Sequence, residues 1–260
     1  MTNKTCLIFC NCGAGIISDD KKEELSEAFK PLGVDIYELH DLCAFSLNEK
    51  DFLHELDQNY DKTLIAACYP RAIKNMFEQN GVQLSNYEVF NFREAGVEQI
   101  TADVSAKIEE KQDETFYEIK NIDLKVPAWY PIIDKSRCTL CGQCARFCVF
   151  GVYSYNKKSL EVANPLSCKN NCPACGRTCP ASAIIFPRLP ENSALSGAEP
   201  SDNKKAAGND QKGNLFVMLN ERNNARRNIF RQGAFQQAEE EKKRALEELK
   251  NSLKNPKNDA

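Results

Sequence analysis

Between Thr5 and about Glu110, short apolar runs alternate with segments whose apolar positions recur every three or four residues, the pattern of a parallel sheet with crossover helices. Thr5 to Cys10, Val34 to Leu39, Thr63 to Cys68 and Tyr87 to Phe92 are predicted strands. Asp19 to Leu32, Asn48 to Asn59 and Pro70 to Asn80 are predicted helices, the first and third followed by the stop signals Gly33 and Gly81. Residues 1–110 are thus expected to form an α/β domain with an open, mostly parallel sheet. The polar stretch Lys111 to Lys125 leads into Pro127-Ala128-Trp129-Tyr130-Pro131, where proline disfavours helix, so 111–129 reads as a linker. Residues 130–190 carry short strand-like runs between polar loops, as in a small α+β domain. Residues 191–213 hold almost no large apolar side chain and read as a disordered linker. Residues 214–260 read as a helical tail with Leu246, Leu249 and Leu253 on one face, packed on the chain itself or docking a partner.

Charge and composition remove several classes of function. The net charge of −3, with both signs interspersed and no aromatics woven into basic runs, argues against nucleic-acid binding. No stretch approaches the ~18 apolar residues of a membrane span, so membrane association would come through a partner. The opening Met1-Thr2-Asn3-Lys4 lacks an apolar secretion segment, so a cytoplasmic location is expected. Thirteen cysteines in a reducing compartment are expected to bind metal or do redox chemistry rather than form disulfides.

Eight of those cysteines fall in two runs: Cys138-x2-Cys141-x2-Cys144-x3-Cys148, and Cys168-x3-Cys172-x2-Cys175-x3-Cys179-Pro180. The first has the bacterial ferredoxin spacing, in which the fourth cysteine ligates the other cluster. Cys138, Cys141, Cys144 and Cys179 are therefore assigned to one 4Fe-4S cluster, and Cys168, Cys172, Cys175 and Cys148 to a second. The runs are an internal repeat, offset by 31 residues for three cysteines and by 30 for Cys138 and Cys168. Val149 to Tyr155 and Pro180 to Phe186 are predicted strands beneath each cluster. Gly142 and Gly176 are candidate positions where backbone approaches a cluster, and Arg146 and Arg177 are candidates to offset its charge. Paired four-cysteine zinc sites are the competing reading, disfavoured because zinc motifs pair CxxC units across a long spacer. About Tyr130 to Arg188 resembles the two-cluster 4Fe-4S ferredoxin family, with Val149 in place of the usual proline and one extra residue between Cys168 and Cys172.

The five remaining cysteines sort by strand end. Cys10 and Cys12 end the first predicted strand, Cys43 follows the second and Cys68 ends the third. All four lie at the carboxyl edge where open α/β sheets bind ligands, so they are candidate ligands of a third iron–sulfur cluster. Cys6 lies about 13 Å from Cys10 at the usual rise per residue, too far to share that site, and reads as a core thiol. Arg71 and Arg93 add positive charge to the same edge. Gly13 to Ser18, with Glu38 beyond, imitates a dinucleotide fingerprint, but Ser18 replaces its third glycine and cysteines occupy the phosphate loop. His40 is left out of the ligand set. The segments FCNCGAGI, LHDLC, IAACYPR and FNFREAG resemble the amino-terminal domain of heterodisulfide reductase A-type proteins. That resemblance implies iron–sulfur binding at Cys10, Cys12, Cys43 and Cys68 and a place in a flavin-linked electron-transfer complex, with redox partners carrying flavin or iron–sulfur centres. The family's flavin-binding part has no counterpart here, so neither flavin nor nicotinamide is expected on this chain.

The expected function is single-electron relay, more a component of a complex than a stand-alone catalyst. A thiol/disulfide enzyme acting at the amino-terminal cysteines, and a scaffold or biogenesis protein with structural clusters, are the competing readings.

Overall fold

A computed structural model describes residues 4–13, 15–122, 128–200 and 232–254, with side chains in the last helix given over 236–251. Ala14 of the glycine-rich turn, residues 201–213 of the expected linker, residues 214–231 and 255–260 of the expected tail, and the side chain of Leu253 lie outside the described residues. The chain forms an open parallel sheet, then two small antiparallel sheets and a carboxy-terminal helix. Among the described residues no helix is long and apolar enough to cross a membrane.

Strands β1 (Thr5–Asn11), β2 (Asp35–His40), β3 (Lys62–Ala67), β4 (Tyr87–Asn91) and β5 (Tyr117–Lys120) lie in the order β4-β3-β1-β2-β5, every pair parallel. The first six residues of β1 are buried, as befits a parallel strand covered on both faces. Helices α1 (Asp19–Phe29), α2 (Leu42–Asn48), α3 (Lys50–Asn59), α4 (Pro70–Asn80) and α5 (Val97–Ser105) supply those covers. Ser18 caps α1 by accepting from Lys21 N, and Pro70 opens α4 at a position whose N–H would be unpaired anyway. Since β2 and β3 flank β1 on opposite sides, the sheet reverses its winding between β1 and β3, and the crevice at their carboxyl ends holds Cys10, Cys12 and Cys68.

Two expectations are corrected here. The 111–129 stretch is not all linker, because Tyr117–Lys120 adds edge strand β5 beside β2. Cys43, which follows β2 as expected, stands in the first turn of α2. The expected disordered linker begins too early: Phe186 N donates to Leu195 O at 2.6 Å, and Arg71 Nη1 donates to the carbonyls of Ala194 at 2.9 Å and Ala198 at 3.3 Å. Backbone carbonyls, rather than large side chains, hold residues 191–200 in place.

The cysteine-rich part is built from β6 (Ile132–Ile133) paired antiparallel with β9 (Ile184–Ile185), and β7 (Tyr153–Tyr155) paired with β8 (Leu160–Val162). Helical turns α6 (Gln143–Phe147) and α7 (Ala174–Arg177) follow the two cysteine loops. Both predicted strands shrink to their carboxyl ends. This part shares the core of the first sheet, for Tyr130, Ile132 and Ile185 pack into it. Tyr130 Oη donates to Cys43 O at 2.7 Å, and Gln79 takes Ile133 N at 2.9 Å.

Helix α8 (Gln232–Lys254) packs on α7. Among its described side chains Ala238, Glu241 and Ala245 are buried, Leu246 is half-buried and Leu249 is exposed. Small alanines let the helix axis approach closely, and Arg177 Nε reaches Glu241 at 2.8 Å.

Candidate metal centres

The amino-terminal site is assembled by four elements. Cys10 sits at the end of β1, Cys12 just beyond it, Cys43 in α2 and Cys68 between β3 and α4. Their exposures are 6%, 5%, 8% and 6%, so nearly all water is excluded. Burial and then the neighbouring Cys12 and Cys68 push the Cys10 thiol up; burial, Asp41, Cys68 and Cys12 do the same to Cys43. Cys68 is pushed up to about 12 by burial and Cys12, against the pull of Arg93. Cys10, Cys43 and Cys68 are thus each raised by other members of the set, and a metal is what holds such groups as thiolates. Backbone N–H groups of Leu42 and Tyr69 aim at the Cys10 and Cys68 sulfurs, the polarity a cluster requires.

Arg71, expected at this edge, turns away and pairs with Asp134 at 2.8 Å. Two guanidinium groups do act at the thiols, Arg93 on Cys68 and Arg188, which feels Cys12, Cys43 and Cys10. Sequence reasoning missed Arg188 because it belongs to the cysteine-rich part, and only the fold carries it across. His40 lies outside the site, with Nε2 at 3.0 Å from Glu38 Oε1. Cys6 donates to Thr63 Oγ1 at 3.7 Å inside the sheet core.

In the cysteine-rich part the thiols fall into two groups. Cys144 is pushed up to about 12 by burial and by Cys179, Cys141 and Cys138. Cys168 is raised by burial, Cys148 and Cys172, and Cys175 by burial, Cys168, Cys148 and, more weakly, Cys144. An open apolar cavity of about 330 Å³, its mouth included, is bounded by Cys148, Cys168, Cys172 and Cys175 together with Phe147 and Val152. Cys179 Sγ accepts from Ala183 N at 3.3 Å, and Tyr153 Oη lies 3.1 Å from Cys175 Sγ. Cys141 is the exposed member of the first group.

Gly142 and Gly176 have packing reasons to be glycine. At Gly142, where φ is 72°, a Cβ would sit 2.3 Å from the Tyr155 ring; at Gly176 it would sit 2.3 Å from Leu195. Arg146 Nη2 donates to Cys141 O at 2.9 Å, whereas Arg177 is occupied by Glu241 and Glu191.

Among the described residues, no three His, Cys, Asp or Glu side chains stand close enough to grip a single metal ion. Tetrahedral zinc at about 2.3 Å per sulfur demands that closeness, while a cubane spreads its thiolates over separate irons around a larger body. All thirteen cysteines are free of disulfides. The indole Nε1 of Trp129, 8% exposed, has no partner at hydrogen-bond distance, yet it points toward Cys168 closely enough to lower that thiol's proton affinity. A buried donor awaiting an acceptor at that sulfur fits an anionic occupant.

Helix α8 closes the far side of the cavity, with Lys242 Nζ 4.6 Å from the Phe147 ring centre and Ala238 and Ala245 grouped with Cys172. Ending the chain at residue 231 is expected to speed chelator-driven iron loss from the second site several-fold, followed by absorbance. An unchanged rate would mean the helix shields nothing.

The two cysteine runs, each with a helical turn inside it and a short strand after it, sit in a chain that belongs to the ferredoxin family. It is similar to an uncharacterized ferredoxin of Methanocaldococcus jannaschii, 34% identical over 116 residues that cover 44% of this chain and 79% of that one. No protein-family model matches the chain, and no solved structure matches it.

Proposed function

We propose that this ferredoxin relays single electrons through two 4Fe-4S clusters and a third cluster at the amino-terminal site, within a flavin-linked complex like that of heterodisulfide reductase. Cys138, Cys141, Cys144 and Cys179 would hold the first cluster, Cys168, Cys172, Cys175 and Cys148 the second, and Cys10, Cys12, Cys43 and Cys68 the third. The observation that carries this reading is the cavity bounded by Cys148 with the first three thiols of the other run, Cys168, Cys172 and Cys175. Bound clusters supply one-electron storage and transfer, with potentials tuned by hydrogen bonds to sulfur and by solvent exposure. The chain's own residues set an order of exposure, from the enclosed amino-terminal thiols to Cys141 at the surface. Cys43, Trp129, Tyr130, Phe186 and Arg188 line one cavity, and Trp129 also acts on Cys168, which supports a route from the third site to the second. A partner holding flavin or further iron–sulfur centres would exchange electrons with the exposed end.

The thiol-enzyme reading finds no support in the amino-terminal pocket, since reactive thiols are exposed and easily ionised, while these are enclosed and pushed up. Iron and acid-labile sulfide on anaerobically reconstituted full chain test the proposal. About twelve irons are expected for three cubanes. A count of about eight removes the third site, and zinc with little iron overturns the whole reading.

A further inference from the structure

We infer that Arg188 is a positioning residue of the amino-terminal site, its free guanidinium N–H groups donating to the anionic cluster held by Cys10, Cys12, Cys43 and Cys68. This rests on the third cluster proposed above.

Arg188 is 6% exposed, and burying a guanidinium is expensive unless its charge and its donors are all met. Only one side of it is met. Nη1 donates to Asp41 Oδ2 at 2.8 Å and to Ala128 O at 2.9 Å, but Nη2 has no hydrogen-bond partner. Asp41 serves Nη1 alone, its Oδ1 accepting from Ala44 N at 3.2 Å and its Oδ2 also from Ala128 N at 2.8 Å. Nη2 lies on the side of the thiols: a Cβ added to Gly13, next to Cys12, would meet it at 3.9 Å. Arg188 also lines one cavity with Cys43. A buried, half-satisfied cation aimed at four enclosed sulfurs needs an anion there. Four thiolates around an iron–sulfur core supply one, and sulfur atoms accept such N–H groups. Arginine suits the place because its fork serves Asp41 and the cluster at once, which a lysine cannot do.

The consequence is architectural. The third site is closed by a residue just beyond β9, so the sheet domain alone provides four thiols and Arg93 beside Cys68 but lacks the guanidinium on the side of Cys12 and Cys43.

The test compares Arg188→Met and Arg188→Lys with the unaltered full chain, all reconstituted anaerobically. The amino-terminal signal is identified as the one absent from Cys68→Ser, and its midpoint potential is followed by electron paramagnetic resonance. Removing a cation and its hydrogen bonds favours the oxidised form. The expected order of midpoint potential is therefore unaltered chain, then Lys, then Met, with Met losing up to about four of twelve irons. Arg188→Met with native iron content and an unshifted amino-terminal potential overturns the inference. If that variant fails to fold, Arg188→Lys, which keeps the Asp41 pairing, decides: a lowered potential supports the inference and an unshifted one overturns it. About eight irons and no Cys68-dependent signal in the unaltered chain would instead overturn the third-cluster reading itself, and the inference with it.

Discussion

Replacing Cys148 by alanine is expected to damage the cluster of the second cysteine run and spare that of the run in which Cys148 stands. Cys148 follows α6 with an extended backbone, φ −72° and ψ 120°, which swings it off the loop of Cys138, Cys141 and Cys144. It bounds the cavity of Cys168, Cys172 and Cys175 and raises the Cys168 and Cys175 thiols. Iron in the variant should fall from about twelve toward about eight per chain. Its spectrum should match that of Cys172→Ala and differ from that of Cys141→Ala. Cys179→Ala should show the reverse, since Cys179 raises the Cys144 thiol of the first group. If Cys148→Ala instead reproduced Cys141→Ala, each run would ligate its own cluster and the exchanged assignment would be wrong.

What could be read from sequence was local. The cysteine spacings and the buried runs of β1 and β3 depend on neighbours within a few residues, so they stand out without a fold. Edge strand β5 did not, because Tyr117–Lys120 is only partly buried and its alternation is lost in a polar stretch. Helix α2 was hidden because it starts one residue after β2, at Asp41 in a left-handed conformation with φ 77°, leaving no polar gap to mark it. The role of Ala238 and Ala245 on α8 was not legible, because leucines outweigh alanines in any apolar pattern, whereas close packing against α7 favours small side chains. Strand order, which sets the crevice between β1 and β3, follows from crossover geometry that no single segment encodes. The charged residues were the least legible, since Arg71 finds Asp134 63 positions away and Arg188 finds Asp41 147 positions away.

Arg71→Met is expected to cost the fold about 3–5 kcal/mol, the usual penalty for removing one member of a buried ion pair. Both side chains are 5% exposed, and Arg71 Nη2 also donates to Ser182 O at 2.8 Å while Nη1 holds the 194–198 turn. The substitution would strand Asp134 and several carbonyls at the seam between α4 and the cysteine-rich part, where each unmet group carries its full desolvation cost. Adding Asp134→Asn should recover part of the loss, a coupling of about 0.5–3 kcal/mol in urea unfolding of the full chain; strict additivity would show that the pair does not hold the seam. The pH dependence gives an independent check. Burial pushes the Asp134 carboxyl up, but hydrogen bonds from Ser136 and Arg71 and the Arg71 charge outweigh it and hold the carboxyl below its ordinary value. Its stabilisation is therefore present above the unfolded pKa of about 3.9 and is lost as pH falls through the lower folded value. Without Arg71 that stabilisation is missing at neutral pH, so the difference between unaltered chain and variant should be greatest near pH 7 and shrink below about pH 4. A difference constant with pH would assign the loss to packing alone.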